Sequence, residues 1–308
     1  IKDGNIVELG AAPAPKLEVD QTINAEGKII SPGIIDTHSH MGVYPHPGVK
    51  AHSDGNEMIS PNTADVWAEN SFWPQDPALW RALSSGVTTI QVLPGSANLF
   101  GGRSFTAKMR PRISAREMRF VGAPQGLKMA CGENPKRVYG EKGGPATRMG
   151  NVAGYDRAYQ EAFEYSQTWI KFQRDLEHWQ KQVDQVKDLG NEEAKKQALK
   201  AIGDAPTPPK KDAKLETLRK VINGEILVHI HCYRADEMSL MLDMAKKYGF
   251  NIRSFHHAIE GYKIAKKLAQ HKTGISTWAD WWGFKMEAYD ATPANAAITE
   301  KYGVKTII

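Results

Sequence analysis

Two histidines separated by one residue, His38 and His40, close a short apolar run in the segment GKIISPGIIDTHSHMG. Alternate residues of a β-strand point to the same face, so a strand that ends here directs both imidazoles to one point. Neutral imidazole is a common metal ligand. The pair therefore indicates a metal site at the end of a strand.

Two further pairs of histidines end apolar runs. His229 and His231 occur in EILVHIHCYRADE, and His256 and His257 occur in NIRSFHHAIEGY. In an eight-stranded parallel barrel the carboxyl ends of all strands meet at one face, where active sites are built, so we expect these histidines to converge. Neighbours on a strand face opposite ways, so His256 and His257 can both point inward only if the strand bends.

The elements that would position these residues alternate between apolar strands and helical stretches from Gly33 onward, which predicts parallel strands joined by helical crossovers. The predicted strands are 33–36, 87–93, 127–131, 225–231, 251–256, 273–277 and 304–308, with an eighth expected at 120–122. The predicted helices are 76–85, 234–248, 260–270 and 293–302.

The remaining segments differ in character. The first 30 residues read as short strands, with a hairpin signal at Asp3-Gly4 and a proline-broken loop at 11–15. The polar stretch 155–221 carries aromatic residues near helical spacing, which predicts one or two inserted amphipathic helices with a solvated linker at 203–214.

Composition narrows the class of protein. A chain of 308 residues with 41% hydrophobic and 24% charged residues fits one large globular domain, alone or with a small companion. The net charge of +5 is spread along the chain, which does not favour a nucleic-acid partner, and the sequence predicts no membrane span. Cys131 and Cys232 allow one disulfide or two free thiols. Ile1 suggests a cut or processed start, so periplasmic, secreted and cytoplasmic locations all stay open.

Five segments in order, PGIIDTHSH, SSGVTTIQVLPGSAN, GLKMACGENPKRVYG, HIHCYRADE and HHAIEGYKIA, resemble the metal-dependent amidohydrolase superfamily, and within it the imidazolonepropionase-like branch. The resemblance runs from Asp3 to Ile308. It implies a distorted (β/α)8 TIM-type barrel with a small β-sandwich built from both chain ends. Residues 1–32 would then be one piece of the sandwich, and 33–308 a barrel that is incomplete at its C-terminal end, with a helical insertion at about 151–222.

The resemblance also implies ligands for one or two divalent ions, with zinc favoured. It places His38 and His40 on the more buried ion. In the later motifs it selects the histidine three residues before the Arg or before the Glu, and the neighbouring histidines stay open as alternatives. The implied ligands are His231 and His257, with His229 and His256 as the alternatives.

The bridging ligand of such a centre is either a carboxylated Lys or a Glu. GLKMACGENPK offers both Lys128 and Glu133. Glu133 is preferred, because it follows the strand in a Gly-Glu-Asn-Pro turn that resembles the place of the bridging Glu in the sugar-deacetylase branch, whereas Lys128 would lie early in its strand.

The chemistry implied is hydrolysis of a C-N bond in a cyclic amide, a dipeptide or a related amide. A bound divalent ion lowers the pKa of water to about 7, which supplies hydroxide for attack on a polarised carbonyl. An Asp after the last strand would then carry the proton to the leaving nitrogen. VKTII resembles that strand, so the expected Asp lies beyond Ile308. We therefore expect a fragment whose missing part comes from a longer chain, a homo-oligomer or a second chain.

Residues beside these motifs are candidates for contact with a small-molecule or dipeptide substrate. Tyr233 and Arg234 follow His231, His52 lies in the loop 41–61, and the tryptophans at 278, 281 and 282 follow a predicted strand. Two alternatives to the hydrolase are a catalytically silent scaffold or subunit and a mononuclear deaminase-like enzyme, in which Glu133 would act on protons. The sequence does not name the substrate, because specificity depends on loops without a transferable code.

Overall fold

The computed structural model describes residues 1–10, 19–281 and 283–308. The contacts divide the chain into a short unit, Ile1–Gly33, and a large unit, Ile34–Ile308. The strands of the large unit are β1 (Ile34–Ser39), β2 (Val87–Val92), β3 (Phe100–Lys108), β4 (Gln125–Ala130), β5 (Ile226–Cys232), β6 (Ile252–His257), β7 (Gly274–Thr277) and β8 (Thr306–Ile307). The α-helices are α1 (Ala68–Ser71), α2 (Pro77–Ser84), α3 (Ala115–Met118), α4 (Glu133–Tyr139), α5 (Arg148–Lys187), α6 (Glu192–Ile202), α7 (Ala213–Ile222), α8 (Ala235–Tyr248), α9 (Ala265–Gln270) and α10 (Asn295–Lys301).

The eight strands form one sheet in which each strand lies beside its neighbours in sequence. β3 runs antiparallel to β2 and β4, and the other neighbouring pairs are parallel. The sheet curls, as shown by the distance of 3.4 Å between Thr37 Oγ1 on β1 and Ser276 Oγ on β7. Among the described residues, β1 pairs only with β2 and β8 only with β7.

The prediction of an all-parallel barrel with an eighth strand at 120–122 is wrong at β3. The segment 120–122 is a turn, and Arg119 makes only an isolated bridge to Ala107. The strand β3 was missed because its sequence, FGGRSFTAK, lacks a continuous apolar pattern. Its Gly102 has φ of +112°, and a Cβ there would lie 2.5 Å from Val66 Cγ2, so the close approach requires glycine.

The inserted segment contains three helices, α5 to α7, where one or two were predicted. Thr147 caps α5 by accepting from Gly150 N, and Asp212 caps α7 by accepting from Leu215 N, so the helical region spans 148–222. Between α6 and α7 the chain is non-helical, which confirms most of the predicted linker, although α7 begins at Ala213. Tyr155 and Tyr159 of α5 are buried, whereas the distal half of the helix exposes its charges.

Four helices were anticipated close to where they lie: α2, α8, α9 and α10. The first turn of the predicted 260–270 helix is a 3-10 turn. The main hydrophobic core lies between β4 to β7 and the helices α5, α7 and α8, and includes Leu127, Met129, Val228, Ile230 and Phe255. This core supports the strands whose ends carry the histidines.

Asp76 attaches the loop after β1 to α2. It is fully buried and its carboxylate accepts backbone N–H groups from Gly42, His46 and Ala78 at 2.8 to 3.0 Å. With Pro77 at the first helical position, this is a favourable helix start. The chain that leaves His40 is thereby fixed to the second helix.

The described residues of the short unit form no strand beyond the bridge between Lys2 and Asn5, at the predicted Asp3-Gly4 turn. The β-sandwich therefore stays a prediction, and the loop 11–15 lies outside the described residues. In the large unit, Cys131 and Cys232 form a disulfide with a Cα–Cα distance of 5.3 Å, which resolves the two thiol alternatives. None of the described helices is long and apolar enough to cross a membrane.

Candidate metal centre

Six histidines from three strands meet at the carboxyl end of the curled sheet. They are His38 in β1 and His40 directly after it, His229 and His231 from β5, and His256 and His257 from β6. The His38 ring centroid lies 4.9 Å from that of His40, 4.7 Å from that of His256 and 5.0 Å from that of His257. The predicted convergence is present.

The end of β6 bends, which allows both of its histidines to face the cluster. His257 and Ala258 have φ angles of 73° and 31°, a region that residues with a side chain rarely adopt. The bend is held from two sides, because Ala258 N donates to Cys232 O at 3.0 Å and Asn295 Nδ2 donates to Ala258 O at 3.0 Å. Asn295 is thus a positioning residue that the sequence did not reveal.

One backbone carbonyl fixes the proton positions on the first histidines. His40 Nδ1 lies 2.8 Å from Leu93 O, and a carbonyl can only accept, so Nδ1 carries the hydrogen. In neutral His40, Nε2 then has a free lone pair, which faces His38 Nε2 at 3.2 Å. His38 Nε2 must donate to it, which leaves His38 Nδ1 as an acceptor.

The same reasoning continues through the cluster to a glutamine. His256 Nδ1 donates to His38 Nδ1 at 2.8 Å, and His229 Nδ1 donates to His256 Nε2 at 3.0 Å. The remaining acceptor, His229 Nε2, lies 3.0 Å from the amide nitrogen of Gln91, which donates to it. A continuous chain of hydrogen bonds thus runs from Gln91 to Leu93 through four neutral imidazoles. The sequence feature that could have identified Gln91 is a polar side chain within the apolar strand β2.

The other two histidines form a second group. His231 and His257 have ring centroids 4.6 Å apart, and the His257 ring stacks on Tyr233. Trp278 Nε1 donates to His257 Nδ1 at 3.1 Å, while Asn134 Nδ2 lies 3.3 Å from His231 Nε2. His231 is buried, and its Nδ1 has no hydrogen-bond partner among the described residues. An amide nitrogen can only donate, so neutral His231 carries its hydrogen on Nδ1, and this buried N–H lacks an acceptor within the described part of the chain.

Lys128 on β4 is the charged residue at the centre of this arrangement. It has no exposed surface, its register partner is His229, and Nζ donates to Pro94 O at 3.0 Å. Burial lowers the pKa of Lys128 to about 7. A large fraction of the amine is therefore neutral near physiological pH.

Burial is the main cause that keeps the histidines neutral. For His38, His40, His229 and His257 the positive charge of Lys128 is the second-largest cause. Burial lowers the pKa of His40 to about 4, and the pKa values of His229 and His257 to about 3. Burial also lowers the pKa values of the other three, His38, His231 and His256, well below the usual range. All six imidazoles are neutral at pH 7, the form that binds metal.

The donor chemistry fits a divalent ion, although within the described residues no three His, Cys, Asp or Glu side chains surround one point as ligands. The 3.2 Å between His38 Nε2 and His40 Nε2 is close to the roughly 3.3 Å expected for two nitrogens on one tetrahedral zinc. His40 donates its other nitrogen to a carbonyl, as metal-bound histidines usually do.

Glu133, the preferred bridging ligand, lies at the start of α4 on the rim of the cluster. Its carboxylate pairs with Lys285 Nζ at 3.3 Å, and its backbone N donates to Glu287 Oε2 at 2.9 Å. Among the described residues, no carboxylate lies within ion-pair distance of a histidine. Of the two candidate bridging ligands, Lys128 is the one that lies among the histidines, since it pairs in register with His229.

The predicted substrate residues have different surroundings. Tyr233 is buried beside His231 and His257, with ring centroids 4.9 and 5.2 Å away. Arg234 instead makes a two-pronged ion pair with Asp236 in the first turn of α8, both bonds at 2.9 Å. His52 is exposed and its ring lies 5.0 Å from that of Trp73. Of the predicted substrate residues, Tyr233 and Trp278 are brought to the cluster, and Trp282 lies outside the described residues.

Carboxylates join the loops around the site. Glu237 of α8 accepts from Gly132 N at 3.0 Å, which connects the end of β4 to the helix after β5. Arg148 lies 3.1 Å from Glu237 and 3.0 Å from Glu287, so it joins the loop after β7 to the same group. Glu260 caps α8 from outside by accepting from Ala235 N at 2.9 Å.

Comparison with known proteins places this arrangement in a family. No family model matches the chain. The amidohydrolase tasK of Hapsidospora irregularis is 32% identical over 312 residues, which is 96% of this chain and 30% of that protein. A crystal structure of an amidohydrolase from Thermotoga maritima is 32% identical with a TM-score of 0.71, over 94% of this chain and 70% of that chain. A 5-methylthioadenosine/S-adenosylhomocysteine deaminase of Syntrophomonas wolfei is 30% identical over 79 residues, 26% of this chain and 16% of that protein.

The curled eight-stranded sheet with clustered histidines is thus the architecture of an amidohydrolase. The chain belongs to the amidohydrolase superfamily, as its motifs predicted. The imidazolonepropionase-like branch stays a prediction. The chain spans about 30% of the length of tasK.

Proposed function

We propose that the protein hydrolyses a C-N bond in a small cyclic amide, dipeptide or related amide, with one or two divalent ions bound at the histidine cluster. The observation that carries this proposal is the convergence of six neutral histidines from β1, β5 and β6 around a buried lysine. Family membership supports the class of reaction. The architecture we propose for the whole protein is a (β/α)8 TIM-type barrel with a small β-sandwich.

His38 and His40 would hold the more buried ion, and His231 and His257 the other. The hydrogen bond from His40 Nδ1 to Leu93 O supports the assignment of His40. His229 and His256 lie in the hydrogen-bond chain between Gln91 and His38, which favours a positioning role for them behind that ligand. A bound divalent ion, with zinc favoured, would lower the pKa of water to about 7 and polarise an amide carbonyl.

Lys128 would be the bridging ligand as its carboxylated form. The neutral amine attacks carbon dioxide: an N–C bond forms, one C=O π bond opens to C–O⁻ and the nitrogen loses one proton, so the neutral amine becomes a carbamate that carries a carboxylate group. The burial of Lys128 and its pKa of about 7 support this step, because only the neutral amine reacts. Glu133 is better suited to hold Lys285 at the rim.

Metal content tests the proposal without reference to any substrate. We expect the purified protein, reconstituted with zinc and passed through a desalting column, to retain one to two equivalents by elemental mass spectrometry. His40→Ala should lose at least one of them. His178→Ala, which removes an exposed histidine of α5, is the control and should retain the wild-type amount. A protein that keeps no zinc, manganese or iron would contradict the proposal.

Hydrolysis of cyclic imides, N-acyl amino acids and dipeptides by the zinc-loaded protein then tests the reaction. The short similarity to a deaminase keeps a mononuclear deaminase as the second candidate. One equivalent of metal and ammonia release from an aminopurine would favour that candidate. Metal binding without turnover of either substrate class would favour a catalytically silent subunit.

A further inference from the structure

Five aromatic side chains form a closed circuit next to the cluster. We call Tyr233, His257, Trp278, Trp281 and Phe284 the aromatic rim. Successive ring centroids around the rim are 5.2, 5.5, 4.7, 4.2 and 6.0 Å apart, in the order Tyr233, His257, Trp278, Trp281, Phe284 and back to Tyr233. Each ring therefore contacts the next, and the circuit includes a histidine of the candidate metal centre.

The rim is buried on the side of the cluster and open on the other. Tyr233 is buried, whereas Trp278, Trp281 and Phe284 are 41%, 42% and 44% exposed. A cavity of about 290 Å³ lies beside Trp278 and is also lined by His38 and His257. Exposed aromatic surface that continues into a mostly apolar cavity with a few polar groups is typical of a ligand site.

The polar groups at the rim already have partners. The indole N–H of Trp278 is donated to His257 Nδ1 at 3.1 Å. Lys285 Nζ lies 4.3 Å from the centre of the Tyr233 ring, and it pairs with Glu133 at 3.3 Å and Glu287 at 2.8 Å. Because the lysine covers one aromatic face and its charge is balanced, the rim favours neither a cationic nor an anionic occupant.

We propose that the aromatic rim binds a neutral aryl group of the substrate, which would make aryl-bearing amides the preferred substrate class. The inference rests on the proposed function, because the rim is a substrate site only if chemistry occurs at His257 and its neighbours. Phe284 stacks on one face of Trp281 with the ring centroids 4.2 Å apart, so the opposite face of Trp281 would stack on the aryl ring while Phe284 holds the indole in place. The amide would then lie toward the cavity beside His38 and His257.

Binding to the metal-free protein tests the inference separately from catalysis. Isothermal titration calorimetry would compare N-acetylphenylalaninamide with N-acetylalaninamide. We expect the phenyl compound to bind at least 10-fold more tightly. Trp281→Ala and Phe284→Ala should each weaken it by about 3- to 10-fold, the range for one aromatic contact, and leave the alanine compound unchanged. Trp80→Ala, which removes an exposed tryptophan of α2, is the control and should match the wild type.

Equal affinity for the two amides would overturn the inference, and so would rim variants that behave like Trp80→Ala. The two hypotheses fail in different ways. Selective binding of the phenyl compound without metal-dependent turnover would contradict the proposed function and retain the rim as an aryl site. Metal-dependent hydrolysis with equal kcat/KM for phenyl and methyl amides would contradict the rim alone.

Discussion

At the scale of single residues, the cluster depends on which nitrogen of each histidine carries a proton. A metal at His38 Nε2 requires that nitrogen to give up its hydrogen, so Nδ1 must carry it instead. The hydrogen bonds to His256 and His229 then reverse, and His229 Nε2 becomes a donor. Gln91 can accept from it by turning its amide, so that Oε1 replaces Nε2.

Gln91→Leu should therefore weaken zinc binding by about 10-fold, the lower end of the effect of losing a direct partner of a metal ligand, because Gln91 reaches His38 only through His229 and His256. The reason is that His229 would carry a buried N–H without an acceptor in the metal-bound state. Competition with a chromophoric chelator measures the affinity. Gln75→Leu removes an exposed glutamine amide whose nitrogen contacts only Ile113 O, and it should leave the affinity unchanged. Equal affinity in the two variants would show that the chain does not reverse.

Lys128 and Glu133 can be separated by a pair of substitutions. Lys128→Met keeps the length of the side chain but removes the amine, and we expect it to lose at least one equivalent of zinc and about 100-fold or more in turnover. Glu133→Gln should change metal content little, because its carboxylate contacts Lys285. The carbon signal of a carbamate after incubation with labelled bicarbonate gives an independent readout. The opposite result, with zinc lost only in Glu133→Gln, would identify Glu133 as the bridging ligand.

At the scale of elements, the turn from β4 to α4 places Gly132 against the loop after β7. Gly132 has φ of 85° and ψ of −151°, and a Cβ there would lie 2.6 Å from Glu287 Oε2. Gly203, which ends α6, has nearly the same backbone, with φ of 77° and ψ of −168°, but no atom within 4 Å of a Cβ. The two glycines form a matched pair for separating backbone strain from displacement of a neighbour.

Gly203→Ala should lower the free energy of unfolding by about 1–3 kcal/mol, the usual cost of this backbone region for a residue with a side chain. Gly132→Ala should cost more, because the buried Glu287 carboxylate must also move away from its partners, Glu133 N and Arg148. Urea unfolding measures both values. Equal losses would mean that the Glu287 carboxylate moves away from the new Cβ at Gly132 without cost, which would contradict the expected effect of the close contact.

The same scale shows how far the sequence determines the fold and the site. The strands that end in histidines follow from apolar runs, and the convergence of His38, His229 and His256 follows from parallel topology. The antiparallel β3 could not be anticipated, because its glycines hide the pattern and its fit depends on Val66, which is distant in sequence from Gly102. Which residues of neighbouring strands pair also cannot be predicted from the local sequence, since the pairing depends on strand register.

Two residues of the site illustrate the same limit. Lys128 looked too early in its strand to reach the site, but its register partner is His229, and this places it at the level of the cluster. The choice between His256 and His257 depended on a bend that Asn295 holds from α10. Both facts require contacts between segments that no local pattern records.

At the scale of the whole molecule, the neutral histidines couple stability to pH. Burial lowers the pKa values of His40, His229 and His257 from 6.5 to about 4, 3 and 3. Between these values and 6.5 the unfolded chain binds more protons than the folded protein, so stability falls as the pH falls through this window. Burial also lowers the pKa of Lys128 from 10.5 to about 7, so stability likewise falls as the pH falls from 10.5 to 7.

The metal-free protein should therefore become less stable as the pH drops from 7 to 5. Each of these buried histidines should contribute about 1 kcal/mol per pH unit below 6.5, because a full proton difference is worth about 1.4 kcal/mol per unit. Urea unfolding after chelation measures the slope. His229→Gln should lower the slope by about 1 kcal/mol per pH unit, since the amide does not titrate. His178→Gln, on the exposed face of α5, should leave the slope unchanged. A slope that His229→Gln leaves unchanged would mean that His229 is protonated alike in the folded and unfolded states, and the neutral chain from Gln91 to Leu93 would then be wrong.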